Sequence, residues 1–218
     1  MKYFFSLITL LVFSFSGLAQ DKIYVKFETE IIADGEEAEM MKMMMNGSTM
    51  EIATSKERTW VKTEVGTMIT MTMEVDSKTE EMTMLMSGMV GDMAFQGDIS
   101  EMEPEEEPEV NFNSDYTETK EILGYTCKKA TVTDEDGNVV TYWYTDKLLR
   151  PDGVTQMPDQ VPGMCLEFEA KMQEGITMKY TAIEANDNVN MSEYKIAIPE
   201  GVDVMSLSDL KNMGMIGN

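Results

Sequence analysis

Apolar side chains recur at every second position over long stretches of this chain, a period that strands satisfy and helices do not. Ile23, Val25, Phe27 and Ile31 share one face of a segment whose other face carries Lys26, Glu28 and Glu30. Ile69, Met71, Met73 and Val75 alternate with Thr70, Thr72 and Glu74. After Asp76-Ser77-Lys78-Thr79, Met82, Met84 and Met86 resume the pattern, which predicts a hairpin. Ala130 and Val132 lead into Asp134-Glu135-Asp136-Gly137-Asn138, and Val139 to Thr145 returns as a second hairpin. Met164, Leu166, Phe168 and Ala170 alternate with Cys165, Glu167, Glu169 and Lys171, and a turn at Gly175 leads to Ile176, Met178, Tyr180 and Ala182. A short strand is expected at Tyr194 to Ile198, before Pro199-Glu200-Gly201.

Helix signals are few. Glu36 to Met45 is compatible with a helix or a strand, because Met and Glu favour helices. Ser206 to Met213 reads as a short terminal helix with Ser206 or Ser208 as N-cap. Short strands with half-polar faces predict a mainly β protein built on a single antiparallel sheet, with one or two short helices. The stretch from Asp98 to Glu109 holds seven acidic residues and two prolines. It is expected to be a solvated loop (98–109) between a methionine-rich and a tyrosine-rich half of one domain, 20–218.

The first 19 residues have a lysine at position 2, an apolar run from Tyr3 to Phe15 and a Gly17-Leu18-Ala19 cleavage site. They predict a signal peptide cut after Ala19, hence a periplasmic or secreted protein, with no cysteine near the cut to carry a lipid anchor. The remaining chain has 16 basic and 40 acidic residues, a net charge of 16 − 40 = −24. Such a charge repels phosphate backbones and anionic lipid surfaces, so neither nucleic acid nor a stable membrane association is expected. With no histidine in the sequence, Ser-His and Cys-His nucleophile pairs and His-ligated metals are excluded.

At Ile122-Leu123-Gly124-Tyr125-Thr126-Cys127-Lys128-Lys129-Ala130 the sequence resembles the GLPGLI family and a sister family of exported Gram-negative envelope proteins. Tyr142-Trp143-Tyr144-Thr145, Val161 to Phe168 and Ile198-Pro199-Glu200-Gly201 fit the same resemblance. The second of these departs from the family's namesake motif at Val161 and at Met164-Cys165. The hairpin from Met68 to Met86 looks more like the sister family. By a more distant similarity to LolA-type lipoprotein carriers, the resemblance implies that the sheet curls into an incomplete barrel around an apolar cavity. Fold alone does not fix function.

Fourteen of the 23 methionines after Met1 lie between Met40 and Met93. Three uses compete: ordinary core, a flexible lining for acyl chains or apolar partners, and soft-metal binding by thioethers. Alternate residues on one strand put the sulfurs of Met82, Met84 and Met86 roughly 7 Å apart, so a Cu(I) site would need help from a neighbouring strand. The lining expected for an apolar ligand is Met71, Met73, Met82, Met84 and Met86, with Trp60 contributing from the strand Thr59 to Glu64.

Cys127 and Cys165 are the only cysteines, and an oxidising compartment favours pairing them. By parity both fall on polar strand faces. In a simple meander their strands are separated by the Val139 to Thr145 strand, about 9–10 Å apart, beyond disulfide reach. The acidic run Glu101 to Glu109 and the turn at Asp134 to Gly137 lack the ligand spacing of a calcium loop. Tyr142, Trp143 and Tyr144 occupy both faces of one strand, so another element or a ligand covers part of it.

From these observations the sequence predicts a non-enzymatic protein without a cofactor. It would bind a lipid, another apolar small molecule or a hydrophobic segment of an envelope protein in a methionine-lined groove. The alternatives are a Cu(I)-binding protein using Met82, Met84 and Met86, a structural envelope protein with no ligand and, further off, a carboxylate-based hydrolase.

Overall fold

The computed structural model describes residues 21–32, 36–89, 91–102, 111–134, 137–154, 156–173 and 176–213. The expected leader, residues 103–109 of the acidic stretch and the Gly175 turn lie outside them. In chain order the elements are β1 (Lys22–Ile32), α1 (Glu36–Met44), β2 (Thr49–Ser55), β3 (Arg58–Val65), β4 (Ile69–Asp76), β5 (Glu81–Gly88) and β6 (Met93–Asp98). They continue with β7 (Asn111–Asn113), β8 (Thr119–Ile122), β9 (Tyr125–Thr133), β10 (Val139–Thr145), β11 (Met164–Gln173), β12 (Ile176–Asn186), β13 (Val204–Ser206) and α2 (Leu207–Asn212).

All the strands join one sheet, in the order β13-β6-β5-β4-β3-β2-β1-β12-β11-β10-β9-β7, with β8 also paired to β9. Two antiparallel meanders, β1 to β6 and β9 to β12, are fused where β1 pairs with β12. Among the described residues its end strands β13 and β7 do not pair with each other, so the sheet is not closed into a barrel. The predicted hairpins form, and in their registers Met71 opposes Met86, Met73 opposes Met84, and Val140 opposes Val132.

Alternation gives the sheet an inner face. Val25, Ile52, Val61, Met73, Met84 and Phe95 follow one another across six strands. The segment from Asp146 to Gly163 covers part of this face, burying Leu148, Val154, Met157 and Val161 in the core. It crosses far enough that the Asp152 N–H donates to Thr59 Oγ1 (3.1 Å) and Ser77 Oγ donates to Asp152 Oδ2 (2.9 Å). Gly153 sits at φ +71°, where a Cβ would meet Val75 and Ile99 at 2.9 and 3.0 Å.

Residues 36–45, open to either assignment by sequence, are helical through Met44, with Met41 and Met45 packed on the core and Met40, Met43 and Met44 exposed. The strand expected at Tyr194 to Ile198 does not form. This segment lies without regular structure on the outer face, where Tyr194 and Ile196 pack with Tyr24, Ala53, Trp60 and Val189. The physical reason is visible at Glu74. Its Oε1 accepts from Arg58 (3.1 Å) and its Oε2 accepts from the Ile196 N–H (2.9 Å), replacing the ladder bond a strand would make. The chain then adds β13 parallel to β6 and turns into α2, capped by Ser206 and Asp209 in a reciprocal capping box.

Candidate functional site

Three strands of the C-terminal meander bring aromatic residues into direct register: Tyr142 on β10 opposes Phe168 on β11, which opposes Tyr180 on β12. Phe168 stacks on Tyr180 with ring centroids 4.6 Å apart and planes within 8°, and on Tyr142 at 6.1 Å and 15°. Phe27 of β1 closes the row edge-on to Phe168 at 5.8 Å. Such a row fixes the rings in one orientation, each pair contributing about 0.5–1.5 kcal/mol beyond the area it buries.

The outer two rings of this row border a cavity of about 330 Å³, lined by Val140, Tyr142, Gln156, Glu169, Ala170, Lys171 and Tyr180. Glu169 and Lys171 occupy alternate positions of β11, opposite Lys179 and Thr177, and border the cavity beside Ala170, which opposes Met178. Burial pushes the Tyr142 and Tyr180 phenols up to about 12, so both remain neutral and able to donate at physiological pH. The two tyrosines are held by strand pairing. Gln156 comes from the covering segment, and Glu169 and Lys171 flank Ala170 next to a register shift in β11.

The structure distributes the predicted lining differently. Met82, Met84 and Met86 are buried and packed with Phe95 and with Leu207 and Leu210 of α2, while Met71 and Met73 stay half-buried beside them. Trp60 lies on the opposite face of the sheet, 5.1 Å edge-on to Tyr194, so it shares no surface with these methionines. Its register partner is Glu74, whereas Val61 is the β3 residue that opposes Met73.

Cys127 and Cys165 are buried free thiols on β9 and β11, with β10 between them. Parity placed Cys165 on a polar face. A register shift between Trp143 and Tyr144 instead sets it opposite Tyr144, inside the core. Burial raises the Cys127 thiol to about 11 and Cys165 to about 12. Among the described residues no group of three or more Cys, Asp or Glu is arranged to hold a metal.

Sequence reasoning missed Gln156, Glu169 and Lys171 as site residues. The two-faced Tyr142-Trp143-Tyr144 run was the available signal. The pairing that brings Tyr180 to the far side of the same cavity crosses a third strand and has no local signature.

Residues 102–209, just under half of the chain, match the family described as N-glycanase peptide, N-terminal domain. A comparison with curated proteins finds no match. The family match corrects two expectations. The resemblance to the GLPGLI family and to LolA-type carriers gives way, because the motifs from Ile122 to Gly201 that carried it lie inside the segment that is similar to the N-glycanase domain. Short strand-and-turn motifs of this kind recur across antiparallel sheets and identify no family singly. The expectation of a non-enzymatic protein is likewise overturned, since the similarity is to a domain of an enzyme family. Lack of histidine excluded only histidine-based chemistry.

Proposed function

We propose that this protein acts in the processing of N-linked glycans and that its 330 Å³ cavity is a glycan-recognition site. The observation that carries the reading is the coincidence of the two: every residue lining the cavity, from Val140 to Tyr180, falls within the segment similar to the N-glycanase N-terminal domain. The chemistry suits a sugar. Val140 and Ala170 offer apolar surface to the C–H face of a pyranose, while the Tyr142 and Tyr180 hydroxyls, with Glu169, Lys171 and Gln156, would present donor and acceptor groups to its hydroxyls. A volume of this size accommodates one or two monosaccharide units, near the lower end of ligand pockets, ~300–1,000 Å³. The expected leader would deliver the protein outside the cytoplasm, to the compartment where exported glycoproteins are met.

The test is calorimetric titration with an N-glycosylated peptide and with the same peptide lacking its glycan, using the full mature chain. Binding of the first only, weakened about tenfold or more by Glu169→Ala or Gln156→Ala, is the expected result; a lost hydrogen bond to a charged group is worth ~1.5–3 kcal/mol. Equal binding of both peptides, or affinity unchanged in both variants, refutes the site. Incubation of a glycoprotein with the chain, followed by mass spectrometry of the released sugar, tests for turnover by the same chain.

A further inference from the structure

The methionines of β4, β5 and β6 form a grid, and one row of it differs from the rest. Met71, Met86 and Met93 stand directly opposite one another on three adjacent strands, all pointing to the inner face. Neighbouring Cβ atoms in such a row are about 4.5–5.5 Å apart, closer than the roughly 7 Å between alternate residues of one strand. The next row, Met73, Met84 and Phe95, has two sulfurs, and the row beyond it, Val75, Met82 and Gly97, has one. Only the first row brings together three thioethers.

Its position also differs. Met82 and Met84 lie deep, whereas Met71 and Met93 are half-buried and Met86 is 8% exposed, so this row sits where the packed cluster meets solvent. The strand ends next to it carry further thioethers in solvent: Met89, just past the end of β5, is 82% exposed, and its N–H bonds to the Met68 carbonyl. The end of α1, with Met40, Met43 and Met44 exposed, packs its Met44 carbonyl against Gly66 in the β3–β4 turn. Core packing explains Met82 and Met84. It does not explain thioethers held at the rim of the cluster with others in water around them.

We propose that Met71, Met86 and Met93 form a three-thioether site for a soft monovalent cation, Cu(I) in particular. Thioether sulfur is a soft donor that selects Cu(I) over Mg²⁺, Ca²⁺ or Mn²⁺. Three rotatable bonds per side chain let three sulfurs converge from Cβ positions ~5 Å apart. The exposed methionines at the same end supply weak donors along the approach. This set differs from the single-strand trio Met82, Met84 and Met86 in using one residue from each of three strands. It is independent of the glycan site, which lies across β10 to β12.

The test uses the mature chain with Cu(I) supplied anaerobically as its acetonitrile complex, in competition with bicinchoninate. The wild-type protein is expected to hold one Cu(I) with a sulfur-only first shell by X-ray absorption. In Met71→Leu/Met86→Leu/Met93→Leu the affinity should fall more than about 100-fold, beyond the 10- to 100-fold that loss of an outer-shell partner costs. Met82→Leu should retain it. Leucine preserves volume, and circular dichroism checks that the variants fold. Met93→Leu alone, at a half-buried position, serves if the triple variant does not fold, with a measurable loss of affinity expected. Cu(I) should also raise the melting temperature of the wild type and not of the triple variant. No Cu(I) retained by the wild type, or equal retention by the wild type and the folded methionine variant, overturns the site.

Discussion

Phe168 is the residue on which the C-terminal meander should turn. Its side chain is 1% exposed, stacked on Tyr180, parallel to Tyr142 and edge-on to Phe27, so it ties β10, β11, β12 and β1 together at one level. Phe168→Ala removes the ring from a site whose four walls belong to regular strands and cannot collapse inward. The expected cost is therefore in the full range for such truncations, about 3–5 kcal/mol. Phe168→Leu keeps most of the apolar volume and gives up the ring contacts. A volume-conserving change costs less than about 1.5 kcal/mol. Loss of two stacked pairs at about 0.5–1.5 kcal/mol each brings the total to about 1–4.5 kcal/mol. For a chain of this length a kilocalorie corresponds to roughly 2–4 °C, so the alanine variant should melt about 6–20 °C below the wild type. Urea unfolding followed by fluorescence measures both variants, and an unchanged m-value confirms that the midpoint reports stability. A cost below about 1 kcal/mol for Phe168→Ala would refute the view that this row organises the half-sheet. Equal costs for Ala and Leu would refute the part assigned to filled volume.

Three further outcomes are expected. Gly153→Ala should cost more than Gly124→Ala: both sit in the left-handed region, at φ +71° and +81°, but only Gly153 has Val75 and Ile99 within 3.0 Å of a new Cβ, while Gly124 has nothing within 4 Å. Thermal melts should show about 1–2 kcal/mol for Gly124 and a further 1–3 kcal/mol of overpacking for Gly153; equal losses would mean that the covering segment is not held against β4. Ellman's reagent should find no reactive thiol in the native protein and two after denaturation without reductant, because Cys127 and Cys165 are buried free thiols; none after denaturation would show that they pair. Stability should be level up to about pH 9 and fall from there to about pH 12. The unfolded thiols and phenols release protons at about 9 and 10, while in the fold Cys127 holds its proton to about 11 and Cys165, Tyr142 and Tyr180 hold theirs to about 12, so the folded state binds more protons across that window. Tyr180→Phe should flatten the slope in the chemical-denaturation series, and stability that rises with pH there would contradict the burial of these groups.

Strands were legible wherever one face is wet, because alternation then survives in the sequence. The hairpins β4–β5 and β9–β10 are of this kind, and their turns are where Asp76 to Thr79 and Asp134 to Asn138 predicted them. Ser206 as a cap was legible for a similar local reason. What failed had a distant cause. The segment at Tyr194 has the alternation of a strand, yet the Glu74 carboxylate, 122 positions away from Ile196, takes the hydrogen bond that would make it one. Cys165 follows parity until a register shift in its partner strand turns it inward. Trp60 was assigned to the methionine surface because β3 neighbours β4, but adjacency of strands does not settle which face a residue occupies; one position of parity puts it on the other side. The cavity needed three strands and a covering segment to meet, and each supplies only one or two of its groups.

The pairing of the two meanders bears on how the N-glycanase-like segment works. Residues 102–209 do not form a closed unit, because β12 takes β1 as its neighbour and β13 takes β6, both outside the segment. Severing there would expose the long edge of β12 along its whole register with β1 and leave Phe168 without its Phe27 contact. The same tail that supplies β13 also carries Leu207 and Leu210 over the methionine grid, so the C-terminal segment completes the core of the N-terminal half. Each half thus buries a surface of the other. A glycan bound at Tyr142 and Tyr180 and a cation bound at Met71, Met86 and Met93 would act on one continuous sheet, and ligand at either site would stabilise the fold that both require.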